Sequence, residues 1–227
     1  MRNKMKKIRG IILIALAASL ALLSYSCGTS NTVKGAVIGG AGGAVVGGIV
    51  GNELGNTAAG AIIGAVVGGT AGALIGNHMD KQAEEMENEI EGAEVERIGE
   101  GIKLTFDSGI LFAYDSATLQ PDAKTNIYKL ADILNKYPDS NILIAGHTDS
   151  DGTEQYNQSL SERRAQAVSD YTKMQGVNPT RLSVIGIGEM EPVATNESVE
   201  GKQLNRRVEI AIFANEDLKA AAERGEL

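Results

Sequence analysis

Cysteine occurs once in this chain of 227 residues, at Cys27, so no disulfide can close within it. Histidine occurs twice, and His78 and His147 lie in different segments, so a His/Cys metal cluster cannot be assembled. No metal and no cofactor are expected. Basic charge is also short, with 21 Lys and Arg against 29 Asp and Glu, a net −8. Five of the basic residues, Arg2, Lys4, Lys6, Lys7 and Arg9, crowd the extreme N-terminus. Without them 16 basic residues face 29 acidic ones, a net −13. That balance argues against nucleic-acid binding, whose affinity comes mostly from phosphate neutralisation.

Catalytic constellations are missing as well. His147, Asp149 and Ser150 stand too close in sequence to take the three roles of a triad. Asp149 and Asp151 could suggest the carboxylate pair of a glycosidase. They sit in a short polar turn, however, and are more simply read as shaping the loop. The chain is expected not to be an enzyme.

The N-terminus reads as an address. After the basic residues comes an apolar run, Ile11 to Leu23, broken by Ser19, then small and polar residues up to Cys27. This is the layout of a secretory signal. At thirteen residues the run is short for a transmembrane span, which needs about 20. The pattern resembles a bacterial lipoprotein signal (residues 1–26), with Cys27 lipidated and residues 27–33 a linker. The usual leucine three places before the cysteine is replaced by Ser24, and an ordinary signal leaving Cys27 as a free thiol is the other reading. Stable anchoring would take more than one acyl chain.

Residues 34–77 carry glycine at 35, 39, 43, 47, 51 and 55, and again at 60, 64, 68, 72 and 76. Ala, Val and Ile fill most other positions, and the stretch 52–57 reads as a turn. Glycine at every fourth residue makes a smooth groove along a helix, against which a second helix can pack closely. In water such a sequence is a poor helix, since Gly costs about 1 kcal/mol relative to Ala. In lipid the backbone must bond internally, and a helix forms. The spacing predicts a helical hairpin, roughly 35–51 and 58–77, in or against a membrane; a flexible linker is the alternative.

Residues 78–92 are highly charged, with Met79, Ala83, Met86 and Ile90 at helical spacing, and predict a solvated helical connector. Residues 94–98 and 102–106 read as a hairpin. Leu111 to Ser116 read as a short strand and turn. Pro121 opens a helix whose apolar face is Ile127, Leu130, Ala131 and Leu134, and Tyr137-Pro138 ends it. A strand at 141–145, a helix at 155–175 capped by Gly176, and a strand at 182–187 make a parallel strand-helix-strand unit. Arg207 to Phe213 form a last strand with Val208, Ile210 and Ile212 on one side. The tail, 214–227, is expected to be a solvated helix or disordered.

The chain turns on Ile144-Ala145-Gly146-His147-Thr148-Asp149-Ser150-Asp151-Gly152, followed by Asn157, Leu160-Ser161 and Arg163-Arg164-Ala165. On an ideal helix Leu160, Ala167, Val168 and Tyr171 define a buried face. Arg164 and Asn157 lie near its centre, and Arg163 points away. A buried arginine needs a carboxylate or phosphate partner. Asp149 is one candidate; a zwitterionic ligand held between Asp149 and Arg164 is the other.

These residues, with Gly186-Ile187-Gly188, Pro192 and Asn205-Arg206-Arg207-Val208-Glu209, resemble the C-terminal domain of the OmpA family. The resemblance covers about residues 100–213 and implies an α+β domain at 93–213, with βαβ units and a mixed sheet flanked by helices. It implies peptidoglycan as partner, with Asp149 and Arg164 gripping the diaminopimelate of the stem peptide. Asn157, Thr148, Asp115 and Arg206 follow as further candidates around the same pocket. For Arg206 and Arg207 a structural role weighs equally. The expected protein is an outer-membrane lipoprotein anchored through Cys27, its C-terminal domain in the periplasm, tethering the membrane to the wall. The alternative is a zipper oligomer forming a pore or scaffold, with the C-terminal domain serving only for positioning.

Overall fold

The computed structural model describes residues 56–227. The signal, Cys27 and the first expected zipper helix, 35–51, lie outside the described residues. In chain order the elements are α1 (Thr57–Gly64), α2 (Gly69–Glu89), β1 (Ala93–Ile98), β2 (Gly101–Asp107), α3 (Ser108–Leu111) and α4 (Pro121–Lys136). There follow β3 (Ser140–His147), α5 (Glu154–Met174), β4 (Leu182–Gly188), α6 (Val199–Asn205), β5 (Arg207–Ala214) and α7 (Glu216–Arg224). The strands form one mixed sheet in the order β1-β2-β5-β3-β4. Only β3 and β4 are parallel, joined through α5; the other neighbours are antiparallel.

Alternation along β5 explains both layers on the sheet. Val208, Ile210 and Ile212 enter the main core with Leu104, Phe106, Ile142 and Ile144 of the neighbouring strands. Helices α2, α4, α5 and α7 supply the rest of that core, including Met79, Met86, Ile127, Leu130, Val168 and Leu218. The intervening residues of β5 are buried too. Ala211 and Phe213 pack with Ala58, Ala61 and Ile62 of α1 in a second, smaller cluster.

This second layer corrects the expected zipper hairpin. Residues 58–77 are not one helix. The chain leaves α1 at Ala65 and re-enters a helix at Gly69, with Gly68 and Gly69 at φ of +76° and +65°. Such backbone is open to glycine and strained for other residues. Glu100 accepts the Val67 and Gly68 amides at this break, both at 2.8 Å, so the interruption satisfies its own donors. One face of α1, carrying Ala58, Ala61 and Ile62, lies on protein. Among the described residues no helix is long and apolar enough to cross a membrane.

The expected connector also changes character. It is the continuation of α2, and Met79, Ala83 and Met86 are sunk into the core. The tail likewise packs, through Leu218 and Ala222 of α7. The segment read as a strand at 111–116 is the end of α3, a single bridge between Phe112 and Leu119, and a turn.

α5 sits unusually close to the sheet. A Cβ at Gly146 would overlap the Ser161 carbonyl, and one at Gly186 would come within 2.7 Å of the Glu162 amide. Close approach selects small and polar residues over large apolar ones. The buried face is therefore Asn157, Leu160, Ser161, Arg164, Ala165, Val168, Ser169 and Thr172, while Ala167 and Tyr171 are only partly covered. Apolar residues alone placed the centre of this face slightly wrong.

Candidate functional site

The C-terminal end of β3, the following loop and the start of β5 meet at one end of the sheet. Thr148 continues the sheet pattern by donating its amide to the Gly188 carbonyl at 2.9 Å. Asp149 comes next and is buried, with 6% exposure. One of its oxygens accepts the Asp151 amide at 3.0 Å, which folds the loop back. The other pairs with the Arg206 guanidinium. Asp149 therefore has a protein cation, and it is Arg206.

Arg164 reaches the same end from the third turn of α5 and is 5% exposed. Its Nε donates to the Ser116 carbonyl at 2.9 Å. Its guanidinium carbon lies 5.4 Å from the centre of the Phe112 ring, a cation–π distance. Its two terminal nitrogens make no hydrogen bond or ion pair to protein among the described residues. Burial lowers its pKa, as does Arg206, against the opposing pull of Asp115, Tyr156 and Asp149. Arginine stays charged through such a shift. The result is a buried guanidinium whose planar fork is not committed to protein acceptors.

Asp115 sits at the rim in left-handed backbone, φ +53°, and accepts a hydrogen bond from the Tyr156 hydroxyl. That bond raises the phenol's pKa. Opposite, Lys202 pairs with Asp151 at 2.6 Å. Asn157 is placed differently. It is 1% exposed, and its amide nitrogen donates to the Asp149 carbonyl at 3.2 Å and to Glu189. It holds the loop from behind rather than facing the opening. Thr148 is 4% exposed, with its hydroxyl unpaired among the described residues. The structure thus groups Asp149, Arg164, Arg206 and Asp115, and sets Asn157 beneath them.

Sequence reasoning missed a second group on the far face of the sheet. His147, Arg207 and Glu209 alternate with the core residues of their strands and so share that face. Arg207 Nε donates to Glu209 at 2.8 Å, and His147 Nε2 lies 3.8 Å from its other oxygen. Burial, with the Arg207 charge second, holds His147 far below its ordinary pKa, so the ring is neutral at pH 7. Glu191 joins them, its backbone carbonyl accepting from Arg207 at 3.2 Å. The signal was present in the sequence: two opposite charges at i and i+2, followed by Ala211 and Phe213 in the same parity.

The model of the OmpA family matches residues 111–206, and that of the YMGG-like Gly-zipper matches residues 5–80. The structure of the cell wall anchor of the T6SS from Pseudomonas aeruginosa is 32% identical, with a TM-score of 0.53, over 60% of this chain and 97% of that one. The chain carries an OmpA-family domain. Among curated relatives of the OmpA-like domain, Probable lipoprotein YiaD of Escherichia coli (strain K12) is 35% identical over 60% of this chain and 63% of its own length. Peptidoglycan-binding protein ArfA of Mycobacterium bovis is 39% identical over 45% of this chain and 32% of its own. The chain spans less than two thirds of the length of these relatives.

Proposed function

We propose that this protein is an outer-membrane lipoprotein whose OmpA-like domain binds peptidoglycan non-covalently in the periplasm, tethering membrane to wall. The observation that carries the site is Arg164, a buried guanidinium whose terminal nitrogens make no hydrogen bond or ion pair to protein among the described residues, beside a buried Asp149. A carboxylate of the ligand pairs with Arg164 bidentately. An ammonium of the same ligand reaches Asp149, whose oxygens have lone-pair positions beyond the two in use. Diaminopimelate in the stem peptide offers both groups. Arg206 fixes Asp149 and adds to the positive field on the ligand carboxylate. Asp115 lines the rim, Thr148 is buried next to Asp149 in the chain, and Asn157 positions the loop. The ArfA name supports the same ligand class.

Residues 1–26 serve as the signal in this reading, lipidated Cys27 as the anchor, and the first zipper as the membrane-proximal segment. Zipper oligomers remain compatible with it, though α1 spends its small face on the sheet. The test is sedimentation of the full chain with purified peptidoglycan, with free diaminopimelate as competitor. Binding lost in Arg164→Ala and competed by the free amino acid supports the reading. Unchanged binding by both Arg164→Ala and Asp149→Ala would sink it.

A further inference from the structure

The α1 segment, at the head of the second glycine series, is fastened to the domain at both ends. At its start, the Glu191 carboxylate accepts the Thr57 amide at 2.9 Å and the Thr57 hydroxyl, and Asn56 donates to Glu209 at 3.3 Å. At its end, Glu100 accepts the Val67 and Gly68 amides. Between these clasps Ile62 fills a notch left by a glycine. A Cβ on Gly101 would stand 2.5 Å from the Ile62 methyl. An eight-residue helix with two glycines does not persist alone in water, so α1 exists by virtue of docking.

The start of α1 rests on the buried charges that back the candidate site. Glu191 and Glu209 each contact α1 and each contact Arg207. Arg207 follows Arg206, the partner of Asp149; Glu209 neighbours His147, which precedes Thr148 and Asp149. Both strand ends that position Asp149 and Arg206 are thus braced by groups that α1 covers. Undocking α1 would let water reach Glu191 and Glu209 and loosen the loop from Glu189 to Arg207.

We propose that α1 is a releasable latch, and that its docking and ligand binding at Asp149–Arg164 favour each other. This rests on the ligand site proposed above and adds its regulation. Such coupling is reciprocal: whatever factor the docked latch contributes to ligand affinity, ligand contributes to latch docking. A released latch returns residues 57–64, with Gly60 and Gly64, to the zipper series, so wall binding would withdraw this segment from zipper pairing.

The experiment is amide hydrogen exchange on the full chain, with and without saturating meso-diaminopimelate, read at residues 57–64. Exchange there is expected to slow by about 5-fold or more, the lower range of allosteric coupling. Ile62→Asp, which touches no proposed ligand group, should speed exchange of α1 and weaken diaminopimelate affinity by the factor seen in the first measurement. Thr57→Val, which removes only the hydroxyl from the Glu191 clasp, should act in the same direction and less. Wild-type protein that binds the amino acid with unchanged exchange at 57–64 overturns the latch alone. Failure of wild type to bind at all overturns the ligand site, and the latch with it.

Discussion

Asp149 and Arg206, 57 residues apart, form an ion pair that joins the β3 loop to the start of β5. Only 9% of the Asp149 side chain is exposed, against 34% for Arg206. Arg164 is left at the same end of the sheet without an ion-pair partner among the described residues. The two arginines therefore do different work. Arg206 neutralises a protein carboxylate, and Arg164 is the cation assigned to the ligand in the proposed function.

Arg164→Ala should weaken binding of diaminopimelate by about 30-fold or more, since truncating one partner of a desolvated charge pair costs about 2–5 kcal/mol. The fold should survive, because no protein carboxylate loses its cation. Arg164→Lys should rescue little, as a point charge does not reproduce the bidentate fork. Calorimetric titration and circular dichroism of the three proteins check both halves of this expectation.

Arg206→Ala should behave otherwise. It leaves the buried Asp149 carboxylate uncompensated, so stability as well as affinity falls. Partial exposure of Arg206 reduces the stability loss below that of a fully buried pair, to about 1–3 kcal/mol. Urea unfolding read beside binding separates this variant from Arg164→Ala, in which affinity alone changes.

Arg207→Met should be the most damaging of the arginine variants to folding, with no ligand group touched. Arg207 and Glu209 are 4% and 2% exposed as side chains, and removing the cation strands a buried carboxylate at a cost of about 3–5 kcal/mol. The double variant Arg207→Met with Glu209→Leu should recover much of that loss. A double variant no more stable than the single one would contradict this account of the far face.

His147 gives the stability a pH dependence of known sign. Its folded pKa lies well below the ordinary value of 6.5, because burial opposes the charged ring. Below about pH 6.5 the unfolded chain takes up a proton that the native chain refuses, so stability falls with pH, by up to ~1.4 kcal/mol per unit. Above that pH both states are neutral and this contribution is constant. His147→Gln should therefore show a shallower decline between pH 6.5 and 5 than wild type in matched urea melts. Equal slopes would contradict the assignment.

Much of this architecture was legible from periodicity. The β3-α5-β4 unit, the β1–β2 hairpin and the core parity of β5 all follow from spacing of apolar residues and from Pro121 and Gly176 as boundaries. What periodicity could not reveal was the second layer. Ala58, Ala61 and Ile62 read equally well as a lipid-facing face and as a protein-facing one, because small apolar side chains suit both surroundings. Only the sheet opposite, with Ala211, Phe213 and the Gly101 notch, decides between them. The partner of Asp149 was hidden for a related reason. Arg164 and Arg206 both lie near it, and loop conformation rather than spacing selects which one pairs. Phe112 and the Ser116 carbonyl, which hold Arg164 in place, come from an irregular segment with no period to read.

The most direct measurement is sedimentation of the full chain with purified peptidoglycan, wild type beside Arg164→Ala, with free diaminopimelate as competitor. The account predicts that wild type pellets with the wall, that the free amino acid releases it, and that the folded variant stays in solution. A folded Arg164→Ala protein that pellets as well as wild type would contradict the assignment of Arg164 as the ligand's cation.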